Sequence, residues 1–345
     1  MSYSEVKVEV GTMQALILDK PGALTLKAIP IPIPGPGEIL IRVVVATTCG
    51  TDLKAFLRGH PQIPTPGVFG HEYSGVVASV GEGVTSFQPG DEVMGVHSAP
   101  CGSCEWCRNG DENLCEHIME TKVLGSYAEY LLIPAHIAKV HVFKKPAEVS
   151  FSRASLLEPL ACVAHGLNML QANSNNTVLI IGPGAIGLLF TAILKSLGFA
   201  SVTVAGRNQE RLAIAAGLGA NTLNWTDSVQ PTAERYDCVI ECTGRVEVWE
   251  RSIDFCKRGG KLMLFGGCPT GTRASFDTGR LHYDQITVLS PFHFGTNAVK
   301  QAKEWICDLS IPVDRLVTGD RDLRDAEAVF KDLAEGIGVK YALRP

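Results

Sequence analysis

Charge is scarce in this chain. Only 19% of its 345 residues are charged, the net charge is -5 and the isoelectric point is about 6.0. A surface without basic excess speaks against nucleic acid and anionic membrane as partners, because both are bound through clustered Lys and Arg. Long apolar runs are missing too. The one segment that invites a transmembrane reading, the uncharged stretch 178–194, is interrupted by Gly182, Pro183, Gly184 and Gly187, and it is short for a membrane span of about 20 residues. The first ten residues carry Glu5, Lys7 and Glu9 and contain no apolar leader core, so the expected compartment is the cytoplasm. In that compartment the 11 cysteines imply metal ligands or buried thiols, not a disulfide framework.

What the chain does have is hydrophobic content, 46%, which excludes a disordered polymer. Its length exceeds one ordinary core of about 100 to 200 residues, so two domains are expected. From Met13 to Val149, short β-like runs such as Ile39 to Val45 alternate with Pro and Gly clusters, and Pro30, Pro32, Pro34 and Pro36 mark an extended connector. From Ser152 onward, buried-looking strands (Val178 to Ile181, Ser201 to Ala205, Cys238 to Cys242, Lys261 to Phe265, Ile286 to Leu289) alternate with helical stretches such as Gln209 to Leu218. The predicted class is therefore α/β: a β-barrel followed by a doubly wound parallel sheet. Amphipathic helices are expected over Asn297 to Leu309 and Leu323 to Glu335, and a last strand, Val339 to Leu343, could return to the first domain. The expected division is 1–165 with 296–345 for one domain and 166–295 for the other.

The sharpest local signal is Cys101, Cys104, Cys107 and Cys115 within one polar loop. Four thiolates at this spacing can close a tetrahedral zinc site with no open position, which makes it structural; an iron-sulfur cluster is the minor alternative. A catalytic zinc needs three protein ligands and an open position, which Cys49, His71 and a carboxylate from Glu72 or Glu158 could supply. The turn Gly182-Pro183-Gly184-Ala185-Ile186-Gly187 lies between an apolar strand and a helix, the context in which such a turn holds a pyrophosphate. NAD binding calls for an acidic residue about 20 positions further on. Here the next strand ends in Gly206-Arg207 instead, and a guanidinium there suits a 2′-phosphate, favouring NADP over NAD with Arg207 and Arg211 as contacts. Thr243, Gly266, Gly267, Phe292 and His293 follow predicted strand ends, where ligands of parallel sheets bind. His60, His97, His117, His136, His141, His165 and His282 join no recognisable constellation.

Taken together, Cys49-Gly50-Thr51-Asp52, Gly70-His71-Glu72-Tyr73-Ser74-Gly75, the four-cysteine loop and Glu158-Pro159-Leu160-Ala161-Cys162 resemble the zinc-containing medium-chain alcohol and polyol dehydrogenases. The resemblance runs from Met13 to the C-terminus. It implies a GroES-like catalytic domain, a Rossmann domain and an active site between them, with interconversion of a secondary alcohol (polyol, sugar or cyclitol) and its ketone. Cys49 and His71 match zinc ligands, and Glu72 matches an acid that ligates zinc or sits behind it. Glu158 resembles the ligand of the sorbitol and threonine dehydrogenase branch, and Thr51 the hydroxyl that accepts the alcohol proton. Lys54 departs from the pattern, standing where many members carry His; an amine with an ordinary pKa of about 10.4 shuttles protons poorly, so contact with a substrate hydroxyl is the expected role. Lys340 resembles a basic residue that touches cofactor phosphates. Relatives of this kind resemble tetramers or dimers. The competing readings are a zinc-independent quinone or enone reductase and a zinc-binding redox sensor without turnover.

Overall fold

The computed structural model describes residues 11–225 and 235–345; the charged stretch 1–10 lies outside them. In the N-terminal half, Thr12–Lys20 alternates between exposed and buried only at its start, and Ala15, Leu16, Ile17 and Leu18 are buried in succession. This strand pairs with Ala23–Pro30 and Gly67–Val68 in a three-stranded sheet. A seven-stranded sheet is centred on Ile39–Thr47, whose side chains are buried on both faces except Arg42 and Val44. Ile39–Thr47 pairs with Tyr73–Val80 and Tyr130–Ile133, and at its end with the C-terminal strand Lys340–Arg344, all antiparallel.

The second half holds six parallel strands in the order Asn221–Asn224, Val202–Gly206, Val178–Ile181, Tyr236–Glu241, Cys256–Leu264, Thr287–Leu289. The central strands are buried along almost their whole length, with only Tyr236 and Asp237 half-buried, because helices cover both faces. The order reverses between Val178–Ile181 and Tyr236–Glu241, which opens a crevice at their carboxyl ends. The glycine-turn helix spans Ala185–Ser196, with Gly184 in extended conformation at its N-cap.

Helix Thr296–Cys307 packs Ala298, Val299, Ala302 and Ile306 into the same core as helix Leu157–Leu170. Its C-terminal carbonyls find an unusual partner. Arg153, 1% exposed, donates to the carbonyls of Trp305, Ile306, Asp308 and Ile311 and pairs with Asp314 at 2.5 Å. A guanidinium there satisfies acceptors that the helix leaves open and opposes the negative end of its dipole. Among the described residues, no helix is long and apolar enough to cross a membrane.

Candidate active site and cofactor cleft

Three strand ends assemble the candidate metal centre. In the central sheet, Ala46 lies opposite Tyr73 and Thr47 opposite Ala342, so the residues just beyond these ends, Cys49, His71, Glu72 and Lys340, must meet. The Thr48 and Tyr341 backbones lock the seam, Thr48 N–H donating to Tyr341 O at 3.0 Å and Tyr341 N–H to the Thr48 hydroxyl at 3.0 Å. Cys49 then caps helix Gly50–Arg58, its Sγ accepting the Thr51 N–H at 3.4 Å. That cap is the cysteine, and the Thr51 side chain is free to line the substrate cavity.

Ligand atoms of Cys49, Asp52 and His71 lie within 4.8 Å of one another, and so do those of His71, Glu72 and Glu158. His71 is the shared member. Thiolate, imidazole and carboxylate on converging walls are a zinc donor set, so the residues fit the metal that the motifs imply. Asp52 is a residue the sequence reading passed over, although it lies one helical turn after Cys49. It is fully buried, accepts the Tyr127 hydroxyl at 2.7 Å, and its other oxygen stands 3.4 Å from His71 Nδ1. A carboxylate behind a ligating imidazole fixes the ring and its tautomer. Burial works against charge on His71, but Asp52 and Cys49 outweigh it and hold its pKa well above the usual value.

The two glutamates differ in their company. Both Glu72 oxygens meet Lys340 Nζ, at 2.8 and 2.6 Å, and one also takes the Thr47 hydroxyl. Lys340 in turn donates to Thr48 O at 2.6 Å and is 1% exposed. This corrects the expectation for Lys340: its amine is consumed inside the catalytic half and does not line the cofactor cleft. Glu158 sits in the first turn of helix Leu157–Leu170, and its protein contacts are weak: Cys162 Sγ at 3.7 Å and His97 Nδ1 at 3.6 Å. Burial, reinforced by Glu72, raises the Glu158 carboxyl to about 7.

Glu158, Thr51 and His71 open onto a cavity of about 390 Å³ whose wall also contains His60, His97 and His293. The structure thus gives His60 and His97 a place that local sequence did not show. His293 is fixed there by Ser98, Oγ to Nε2 at 2.7 Å, and burial pushes its pKa down to about 3, so it stays neutral. Lys54 is not in this wall. Its amine reaches Gly267 O at 3.3 Å, across to the Rossmann half, which corrects the expected contact with a substrate hydroxyl.

In the cysteine loop all four Sγ atoms lie within 4.8 Å. Backbone N–H groups of Ser103 and Cys104 point at Cys101 Sγ and pull that thiol down to about 5, whereas burial and the neighbouring thiols push Cys107 up to about 12. Four such sulfurs ionise together only around a cation, which fits zinc. The loop is tied to the cavity: Glu112 accepts the Thr296 N–H at 2.7 Å and Asn113 donates to Phe292 O at 3.1 Å, beside His293.

A second cleft of about 400 Å³ lies at the strand-order reversal, lined by Gly182, Gly184, Gly206, Arg207, Arg211 and Thr243 among others. Gly187 behind the turn and Gly206 in the wall are steric necessities, whereas Gly184 has open space around it. A Cβ on Gly187 would stand 2.1 Å from Gly182 O, and one on Gly206 2.2 Å from the Pro183 ring. Gly182 has φ 105°. No side chain caps the first turn, which begins with Ala185 and Ile186, and an uncapped helix N-terminus after a glycine turn suits a pyrophosphate. Arg207 is exposed at the rim, and Arg211 is anchored to Gly338 O at 2.8 Å. Thr243 is positioned by buried Glu241, which accepts its N–H at 2.6 Å and also bonds Gly244. Gly266 is required by this packing, since a Cβ would fall 2.3 Å from Gly244 N.

Comparison with known proteins agrees with this geometry. Residues 35–146 match the alcohol dehydrogenase GroES-like domain and residues 185–308 the zinc-binding dehydrogenase family. L-threonine 3-dehydrogenase of Bacillus velezensis is 34% identical over 74% of this chain and 76% of the relative. D-altritol 5-dehydrogenase of Agrobacterium fabrum is 34% identical over 76% of this chain and 79% of the relative. A zinc-binding dehydrogenase from Sinorhizobium meliloti 1021, solved with NADP, superposes with a TM-score of 0.86 at 28% identity, covering 97% of this chain and 100% of that one. The chain belongs to the zinc-containing medium-chain alcohol and polyol dehydrogenases, a family of oxidoreductases.

Proposed function

We propose that the chain oxidises a secondary alcohol of the polyol, sugar or cyclitol type to its ketone, and runs the reverse, with a catalytic zinc held by Cys49, His71 and Glu158. The observation that carries this reading is the contrast between the glutamates: Glu72 is saturated by Lys340 and Thr47, while Glu158 faces the cavity with only weak protein contacts. When bound, zinc polarises the alcohol oxygen and the nicotinamide accepts the hydride. Cys49, His71 and Glu158 orient that centre, and Asp52 holds the His71 ring. Thr51, in the cavity wall, takes the alcohol proton. Glu72 is the close neighbour, with both its oxygens on Lys340.

The four-cysteine loop takes a second, structural zinc, and the Arg207 and Arg211 side chains favour NADP over NAD. The division into 1–165 with 296–345 and 166–295 accords with the return of Lys340–Arg344 to the first sheet. A cytoplasmic homo-oligomer, a tetramer before a dimer, completes the proposal. Assaying polyols, sugars, cyclitols and simple secondary alcohols with both cofactors tests it. Turnover with NADP exceeding that with NAD supports the reading. A strong NAD preference overturns the arginine assignment, and a zinc-loaded protein inert towards every alcohol and ketone overturns the activity.

A further inference from the structure

The substrate cavity has a second charged end. Besides Glu158, assigned above to the metal, no carboxylate lines it among the described residues; Lys122 does. Among the described residues the Lys122 amine has no acidic partner. It donates only to the Met119 carbonyl at 2.8 Å, and burial lowers its pKa from the usual lysine value. Partial desolvation of an uncompensated ammonium is unfavourable, so the site gains when an anion arrives. Two further groups favour the same ligand. His60 accepts the Gln62 N–H on Nδ1 at 3.3 Å, which leaves the hydrogen of the neutral ring on Nε2 as a donor. His97, 5% exposed in the same wall, has no hydrogen bond at Nδ1. Burial lowers the His60 pKa, and the nearby cations Lys54, Lys122 and Arg58 lower it further while Asp52 raises it.

We infer that the physiological substrate is an acidic polyol: a hydroxylated chain with an anionic group, carboxylate or phosphate, received by Lys122 and His60 while the reacting carbinol lies at Cys49, His71 and Glu158. The inference rests on the dehydrogenase reading and specifies its substrate class. The step itself balances without further reagents. The carbinol C–H bond breaks with its electron pair passing to the oxidised nicotinamide, the O–H proton leaves through Thr51, and a ketone remains. His97 supplies a hydrogen bond to a hydroxyl between the two ends.

Calorimetric titration of the zinc-loaded protein with hexonates, hexitol phosphates and neutral hexitols, across the hexose configurations, tests the inference without needing turnover. One anionic series should bind at least tenfold tighter than the neutral hexitol of the same configuration, and the tighter of the two anionic series identifies carboxylate or phosphate. Lys122→Gln should abolish that advantage and Lys122→Arg retain it, with zinc content and melting temperature unchanged as the folding control. Equal or weaker binding of the anions, or an advantage that survives Lys122→Gln, overturns the inference. Nicotinamide reduction, followed in parallel, separates the two claims. Neutral polyols turned over without any anionic preference would sink the anion site alone. A Lys122-dependent preference without turnover of any member would leave the anion site standing and sink the dehydrogenase reading.

Discussion

At the scale of single residues, the Glu72–Lys340 pair shows how burial turns charge into constraint. Both side chains are almost wholly buried, at 0% and 1% exposure, so neither can exchange its partner for water. Breaking such a pair strands a charge, at a cost of about 3 to 5 kcal/mol. Lys340→Met should therefore lower unfolding stability by that amount in denaturant titration, and adding Glu72→Gln should recover part of the loss. A stability change under about 1 kcal/mol for the single variant would contradict the pairing. In the proposed reaction Thr51 serves the chemistry and not the frame. Its replacement by Val should reduce kcat by about 100-fold with little change in melting temperature, the scale of a lost proton acceptor. Asp237 supplies the pH dependence. Burial opposes its charge, but Thr177 (two bonds of 2.7 Å) and Lys257 (3.1 Å) hold the carboxyl below its ordinary value. The stability it confers is thus present above the unfolded pKa of about 4 and disappears as pH falls through the lower folded value. The stability gap between wild type and Asp237→Asn, measured by urea unfolding, should be constant near neutrality and close in acid.

At the scale of elements, the helix Thr296–Cys307 depends on a residue outside it. Arg153 serves four carbonyls at and beyond its C-terminus, so Arg153→Met should cost about 3 kcal/mol or more, because several buried acceptors lose their donor at once. Thermal unfolding checks this, and a change in melting temperature within error would refute the capping role. The glycine-turn helix and the cysteine loop were legible in the sequence for a simple reason. Each is a local device, fixed by close contacts such as Gly187 against Gly182 O or by sulfurs at most 14 residues apart. The role of Lys340 was not legible, because its partner is 268 positions away and only strand pairing brings them together. His97 was hidden for the same reason, since its neighbours His71, Glu158 and His293 come from other elements. Asp52 could have been found, as its spacing from Cys49 within one helix already puts both side chains on one side.

At the scale of the whole molecule, one sheet holds the metal-ligand corner and another the glycine-turn cleft, and a shared apolar core together with hydrogen bonds such as Arg211 to Gly338 O joins the two halves. Lys54 touches Gly267 O, and the cysteine loop holds Thr296 and Phe292 through Glu112 and Asn113. The doubly wound order and the largely antiparallel sheets of the first half follow the expectation, since strands alternating with helices and short strands between Pro and Gly clusters mark different architectures. The measurement that bears most directly on the account is zinc content in paired glutamate variants. Wild type should carry two zinc ions per chain, Glu158→Gln should retain only the cysteine-loop zinc, and Glu72→Gln should retain both. Loss of the second zinc from Glu72→Gln, with its retention in Glu158→Gln, would reverse the assignment of the ligand and contradict the account.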